Sequence, residues 1–148
     1  MTAGAARVIR TAAIGAALLG VLPACAQDTR LADAAQEWRG VFGGGPTAAT
    51  RIVRTQAEWS ALWASLSTRE PMSLPADSFG VQISLGLRNT GGYAVAVISA
   101  APEGDQFVVV WSEARPAPGA IVIQALTDPY VVRVIPRTTL PVTFRQSP

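Results

Sequence analysis

Phe79-Gly80-Val81-Gln82-Ile83-Ser84-Leu85-Gly86-Leu87-Arg88 alternates large apolar side chains with glycine or polar residues without a break. Successive side chains of an extended chain point to opposite faces, so a period of two specifies a β-strand with one buried face. A helix needs its apolar residues three and four apart. This segment commits the chain to a mainly β fold, and the flanks carry the pattern outward on both sides.

Downstream, Asn89-Thr90-Gly91-Gly92 is a turn signal, because glycine accepts the positive φ of tight hairpins. Arg88 to Tyr93 therefore reads as a hairpin that opens a strand from Tyr93 to Ala100. Pro102-Glu103-Gly104-Asp105 reads as a second turn. Gln106 to Glu113 is a third strand, with Phe107, Val109 and Trp111 on one face. Val108 and Val110 on the other face indicate burial on both sides, as in a central strand or sandwich. Pro116 to Gly119 breaks the chain, and Ile121 to Leu126 reads as a further strand. Tyr130 to Ile135 is another, bounded by Asp128-Pro129 and Pro136, and Val142-Thr143-Phe144 closes the sheet at its edge.

Upstream, Thr55-Gln56-Ala57-Glu58 is a capping box, in which the hydroxyl and the carboxylate each accept from the other's backbone N–H. Trp59, Leu62, Trp63 and Leu66 then fall on one helical stripe, suited to covering a sheet, and the helix should stop before Pro71. Arg51 to Arg54 reads as a short strand. Trp38 to Phe42 reads as a first strand, closed by Gly43-Gly44-Gly45-Pro46. The expected fold is α+β, mainly β: an antiparallel sheet or sandwich-like meander, with one main amphipathic helix near the start of the domain.

The first residues have a different composition. Arg7 and Arg10 precede an uncharged apolar run from Thr11 to Leu22, followed by small residues, which is the pattern of a bacterial secretory signal. The run is shorter than the roughly 20 residues of a membrane span. Leu22-Pro23-Ala24-Cys25 resembles a lipobox, which would place a lipid on Cys25. Ala24-Cys25-Ala26 is a rival site that would cut after Ala26 and discard the cysteine. The expected layout is a signal peptide over 1–26, a tether and first short strand over 27–50, and a β-rich domain over 51–148. The tether contains Leu31, Ala34, Ala35 and Trp38 at helical spacing. The chain is expected to be exported to the periplasm and tethered there as a lipoprotein.

The formal charge of +2 belongs to the signal: without Arg7 and Arg10, ten basic residues face ten acidic ones. A nucleic-acid binder normally shows a basic excess or stripe, so no nucleic-acid partner is expected. Every basic residue is arginine, which excludes Schiff-base chemistry. There is no histidine, and Cys25 is the single cysteine, so Ser-His-Asp, Cys-His and Cys/His zinc sites are excluded. Glu103 and Asp105 lie in a turn, where acidic residues are ordinary solvated turn formers. No catalytic residue, metal site or cofactor is expected.

Several motifs carry a family likeness. Glu58-Trp59-Ser60-Ala61-Leu62-Trp63, Leu85-Gly86, Thr90-Gly91-Gly92-Tyr93, a Val-rich strand ending in Glu113 before Pro116, and Thr127-Asp128-Pro129-Tyr130-Val131-Val132 occur in that order. From about Arg51 to Phe144 the chain resembles the C-terminal domain of the protease-complex subunit PrcB family. Thr-Gly-Gly-Tyr is the most specific piece. Ser78, between Asp77 and Phe79, departs from the Asp-Phe common in the family. The resemblance implies a non-catalytic accessory domain of the cell envelope, named for a lipoprotein subunit that helps to assemble or stabilise a secreted protease complex.

The leading expectation is a binding or assembly module for a protein or peptide partner in the envelope. Candidate partner-binding residues are Arg88, Thr90, Gly91, Gly92, Tyr93 and Tyr130. Arg88 can hold a carboxylate, and tyrosines are common anchors. The plainer reading of the same residues has the glycines serving the turn, the tyrosines capping the core and Arg88 pointing at water. A structural envelope protein without a specific ligand, or a carboxylate-dependent hydrolase, are the alternatives.

Overall fold

The computed structural model describes residues 36–148. The signal peptide, Cys25 and the tether through Ala35 lie outside the described residues. Among the described residues seven strands and one helix follow in the order β1 (Glu37–Gly40), β2 (Ala49–Val53), α1 (Gln56–Ser65), β3 (Ser78–Ser84), β4 (Ala94–Glu103), β5 (Gln106–Ala114), β6 (Tyr130–Pro136) and β7 (Val142–Gln146).

They form two sheets. One is four-stranded in the order β1-β6-β3-β2, the other three-stranded in the order β4-β5-β7. Phe79, Val81, Ile83, Val131 and Ile135 of the first sheet pack against Val95, Val97, Phe107 and Val109 of the second. The mainly β, sandwich-like expectation is borne out. The meander is not: β6 inserts between β1 and β3, and β7 pairs with β5 in parallel.

Three local readings need correction for the same reason, that sheet membership is decided by distant partners. β3 is buried along its whole length rather than on one face. Its apolar residues face the second sheet, and its Gly80 and Gln82 face the helix side. The absence of a side chain at Gly80 makes room for the helix, since a Cβ there would lie 2.6 Å from both the Trp59 ring and a Val53 methyl. Arg88 to Tyr93 is not a hairpin, because β3 and β4 belong to different sheets and the segment is a crossover between them. Ile121 to Leu126 joins no sheet.

The helix is set as its sequence dictates. The Thr55 hydroxyl accepts from the Glu58 N–H at 3.2 Å, and Glu58 Oε2 accepts from the Thr55 N–H at 3.1 Å and from the Arg54 N–H at 2.8 Å. Trp59, Leu62, Trp63 and Leu66 bury against Val53, Tyr130, Val132 and Val134 on the outer face of the larger sheet. Trp38 of β1 completes an edge-to-face trio with Trp59 and Trp63, ring centroids 5.4–6.0 Å apart. Each such pair adds about 0.5–1.5 kcal/mol beyond its buried area. Trp59 Nε1 donates to the Met72 carbonyl at 2.7 Å, fastening the chain after the helix.

Among the described residues no helix is long and apolar enough to cross a membrane.

Candidate functional site

The crossover after β3 carries five of the six candidate residues, Arg88, Thr90, Gly91, Gly92 and Tyr93. Arg88 pairs with Thr127 through reciprocal backbone hydrogen bonds, Arg88 N–H to Thr127 carbonyl at 2.7 Å and the return bond at 2.9 Å. The buried Thr127 hydroxyl donates to the Thr90 carbonyl at 2.9 Å, and the Gly91 N–H donates to the Ile123 carbonyl at 2.9 Å. A Cβ on Gly91 would lie 2.5 Å from Ile123, and one on Gly92 would meet Val122 and Pro116 at 2.8–2.9 Å. Gly92 also has φ +85°, a conformation that side chains disfavour. Thr90-Gly91-Gly92 is thus the seat on which the segment after Pro116 lies flat.

The Arg88 side chain turns the other way. Its Nη1 donates to the Leu85 carbonyl at 2.7 Å, its Nη2 lies 3.3 Å from Glu113 Oε1, and its guanidinium sits 5.5 Å from the Tyr93 ring centroid. Arg88 is therefore not a free arginine aimed at water. Glu113 is 8 % exposed at its side chain and also meets Arg115 at 3.4 Å. The Arg88–Glu113 pair lines a cleft of about 370 Å³ at the open side of the sandwich, together with Ala48, Leu85, Trp111 and Gln146. A neighbouring hollow of about 560 Å³ shares Glu113 and Gln146 with it.

Tyr93 is half-buried, and Tyr130 is 5 % exposed and packs in the helix-side core. The two tyrosines line a separate hollow of about 330 Å³ beside Arg39, Gly40 and Val41, on the opposite open side. Thr90, Gly91 and Gly92 lie below the Pro116–Leu126 segment, so the candidate residues divide among three neighbouring places rather than one pocket.

Chemically, the Arg88 cleft offers one carboxylate, already engaged by two arginines. Glu103 and Asp105 lie at the β4–β5 turn. Glu103 is exposed and paired with Arg145 at 2.8–2.9 Å, which lowers its pKa chiefly through that hydrogen bond. Among the described residues no group of three or more Asp, Glu, His or Cys side chains could hold a metal ion.

What lies over the seat is apolar and exposed. Ile121 is fully exposed, and Ile123, Leu126 and Leu87 are each about half or more exposed. Residues 81–136 match the PrcB C-terminal family. The resemblance carried by the motifs is borne out over that span, which runs from within β3 to the end of β6 and takes in the Thr90–Tyr93 seat, Glu113 and Asp128. The helix and its Trp59 and Trp63 fall outside it. No curated protein and no solved structure is matched by the chain.

Asp128 escaped the sequence reading, which took Asp128-Pro129 as a strand boundary. Its carboxylate accepts from the Gly43 N–H at 2.9 Å and the Gly45 N–H at 3.0 Å, and its carbonyl accepts from the Gly44 N–H at 2.9 Å. No local signal announces a partner so far away in sequence. Glu113 was noted only as the end of a strand.

Proposed function

We propose that this chain is a non-catalytic accessory subunit, exported to the periplasm and held at the membrane by a lipid on Cys25, which binds a protein partner in the cell envelope. The PrcB C-terminal match supports the accessory role, the family being named for a subunit of a protease complex. The observation that carries the binding role is the use made of Thr90-Gly91-Gly92. These residues hold an apolar segment whose Ile121, Ile123 and Leu126 stay in water. Exposed apolar side chains grouped on one segment mark an interaction surface more often than a structural one. The partner-facing surface on this reading is that segment with Leu87, while Gly91, Gly92 and the Arg88 backbone hold it from below.

The tether is tested by the intact mass of the protein from its host beside a Cys25→Ala form. A mass starting at Cys25 plus a diacylglycerol, lost in the variant, supports the anchor. A start at Gln27 in both forms sinks it. The binding role is tested by crosslinking from the exposed position 126 in whole cells. A stoichiometric envelope protein joined there, and lost with Ile121→Glu, supports it, whereas identical crosslinks in both forms would leave a structural envelope protein as the better reading.

A further inference from the structure

The segment from Ala120 to Gln124 runs without turn or bend, and the chain bends only at Ala125. Its sequence, Ala-Ile-Val-Ile-Gln, is rich in the β-branched residues that favour strands. Yet it has no ladder. Among the described residues, the N–H groups of Ile121, Val122, Ile123 and Gln124 meet no acceptor. The Ile123 carbonyl is taken by the Gly91 N–H, so the Ile123 edge of the backbone faces the crossover. Backbone groups alternate in direction along an extended chain, so the N–H and C=O groups of Val122 and Gln124 point outward, where the Val122 carbonyl accepts only from the exposed Gln124 side-chain amide at 3.2 Å. This is half of a β-ladder, held flat by its seat and offered to solvent.

The four true edge strands are guarded. β1 carries Glu37 and Arg39, β2 carries Arg51, β7 carries Arg145, and β4 has a register shift at Val97/Ser99 and a proline at 102. Charges, bulges and prolines are the usual devices against edge-to-edge pairing. From Pro116 to Thr127 there is no ionisable side chain. Two antiparallel copies of one strand set each residue near its own equivalent, so a charge there would face a like charge. An uncharged strand meets that requirement of self-pairing.

We propose that this edge pairs with the same edge of a second copy, joining two chains through a short antiparallel ribbon centred near Val122 and Ile123. The proposal rests on the reading of this face as a binding surface, and not on the lipid tether or on a protease complex. A pairing this short buries less than about 1,200 Å² and so gives a weak, reversible dimer.

The test is sedimentation equilibrium of the protein as isolated from its host, in density-matched detergent, from about 1 to about 300 μM. The average mass of the protein component is expected to rise with concentration toward that of two chains, and the Val122 and Gln124 amides to exchange more slowly over the same range. Three variants separate the causes. Gln124→Pro removes an outward N–H and keeps the apolar surface. Ile121→Glu, at a fully exposed position, adds a charge to the ribbon. Leu87→Glu removes an exposed leucine outside the ribbon. Association lost in the first two and kept in the third confirms strand pairing. A monomer throughout the range overturns the proposal while leaving a different protein partner open. Association that survives Gln124→Pro, or that falls with Leu87→Glu as much as with Ile121→Glu, overturns it in favour of another contact or of unspecific apolar adhesion.

Discussion

Asp128 Oδ1 accepts the Gly43 N–H at 2.9 Å across 85 residues of sequence. With the bond from Gly45 to Oδ2, it pins the β1–β2 loop to the start of β6. Asp128→Ala leaves both amides without their acceptor, in a partly buried loop. The expected loss is about 2–3 kcal/mol, because hydrogen bonds to charged groups are the stronger kind. Asp128→Asn should lose less. Urea unfolding of the three forms checks the order.

Gly80 lies under the Trp59 ring. Gly80→Ala places a methyl where the ring and Val53 already meet, and overpacking of this kind costs about 1–3 kcal/mol. The helix should be displaced from the sheet, with Trp59 fluorescence shifted to the red as its indole loses cover. An unchanged emission maximum with unchanged stability would contradict the packing described.

Arg88 compensates a carboxylate that is nearly out of solvent. Arg88→Ala should cost about 2 kcal/mol, since it leaves the nearly buried Glu113 with only the exposed Arg115 as a partner. The double form Arg88→Ala with Glu113→Gln should recover part of that loss. Arg88→Lys should recover little, as one ammonium cannot reach both Glu113 and the Leu85 carbonyl in the geometry of the guanidinium. A double-mutant cycle by chemical denaturation measures the coupling.

Glu58 titrates below its ordinary value of 4.5, first because it accepts from the Arg54 N–H and then from the Thr55 N–H. A carboxylate whose pKa is lower folded than unfolded stabilises the fold above the unfolded value, and that contribution disappears as pH falls through the folded value. The helix start should therefore be firm at neutral pH and loosen below pH 4.5, beginning at the ordinary glutamate value. Glu58→Gln should flatten this part of the stability–pH curve, read as the difference between the unfolding midpoints of the two forms from neutral pH to acid.

Much of the architecture was legible because it is written locally. The Thr55–Glu58 box and the stripe through Trp59, Leu62, Trp63 and Leu66 define the helix without reference to the rest of the chain. The alternation in β3 and the two-sided valines of β5 identified strands correctly. What failed depends on partners. Ile121–Leu126 has the composition of a strand, but the chain offers it only a seat at Arg88–Gly91, so the residues stay outside both sheets. Thr90-Gly91-Gly92 was read as a turn because glycine commonly permits one. Here the bare Cα atoms serve a close approach by Pro116, Val122 and Ile123, which sequence spacing does not encode. Of the candidate site, Arg88 and Tyr93 do meet, whereas Glu113, which organises Arg88, lies on a strand in the opposite sheet.

The insertion of β6 between β1 and β3 also has a consequence for timing. The larger sheet joins the beginning of the described chain to a strand near its end, so it cannot be completed until the residues through Pro136 have emerged. Pairings between distant segments are slow to form, because the intervening loop must close first. A chain delivered across a membrane from its N-terminus would therefore travel as an open thread, with only local pieces such as α1 and the β4–β5 hairpin able to form early, and would assume its shape on the far side in one late closing step.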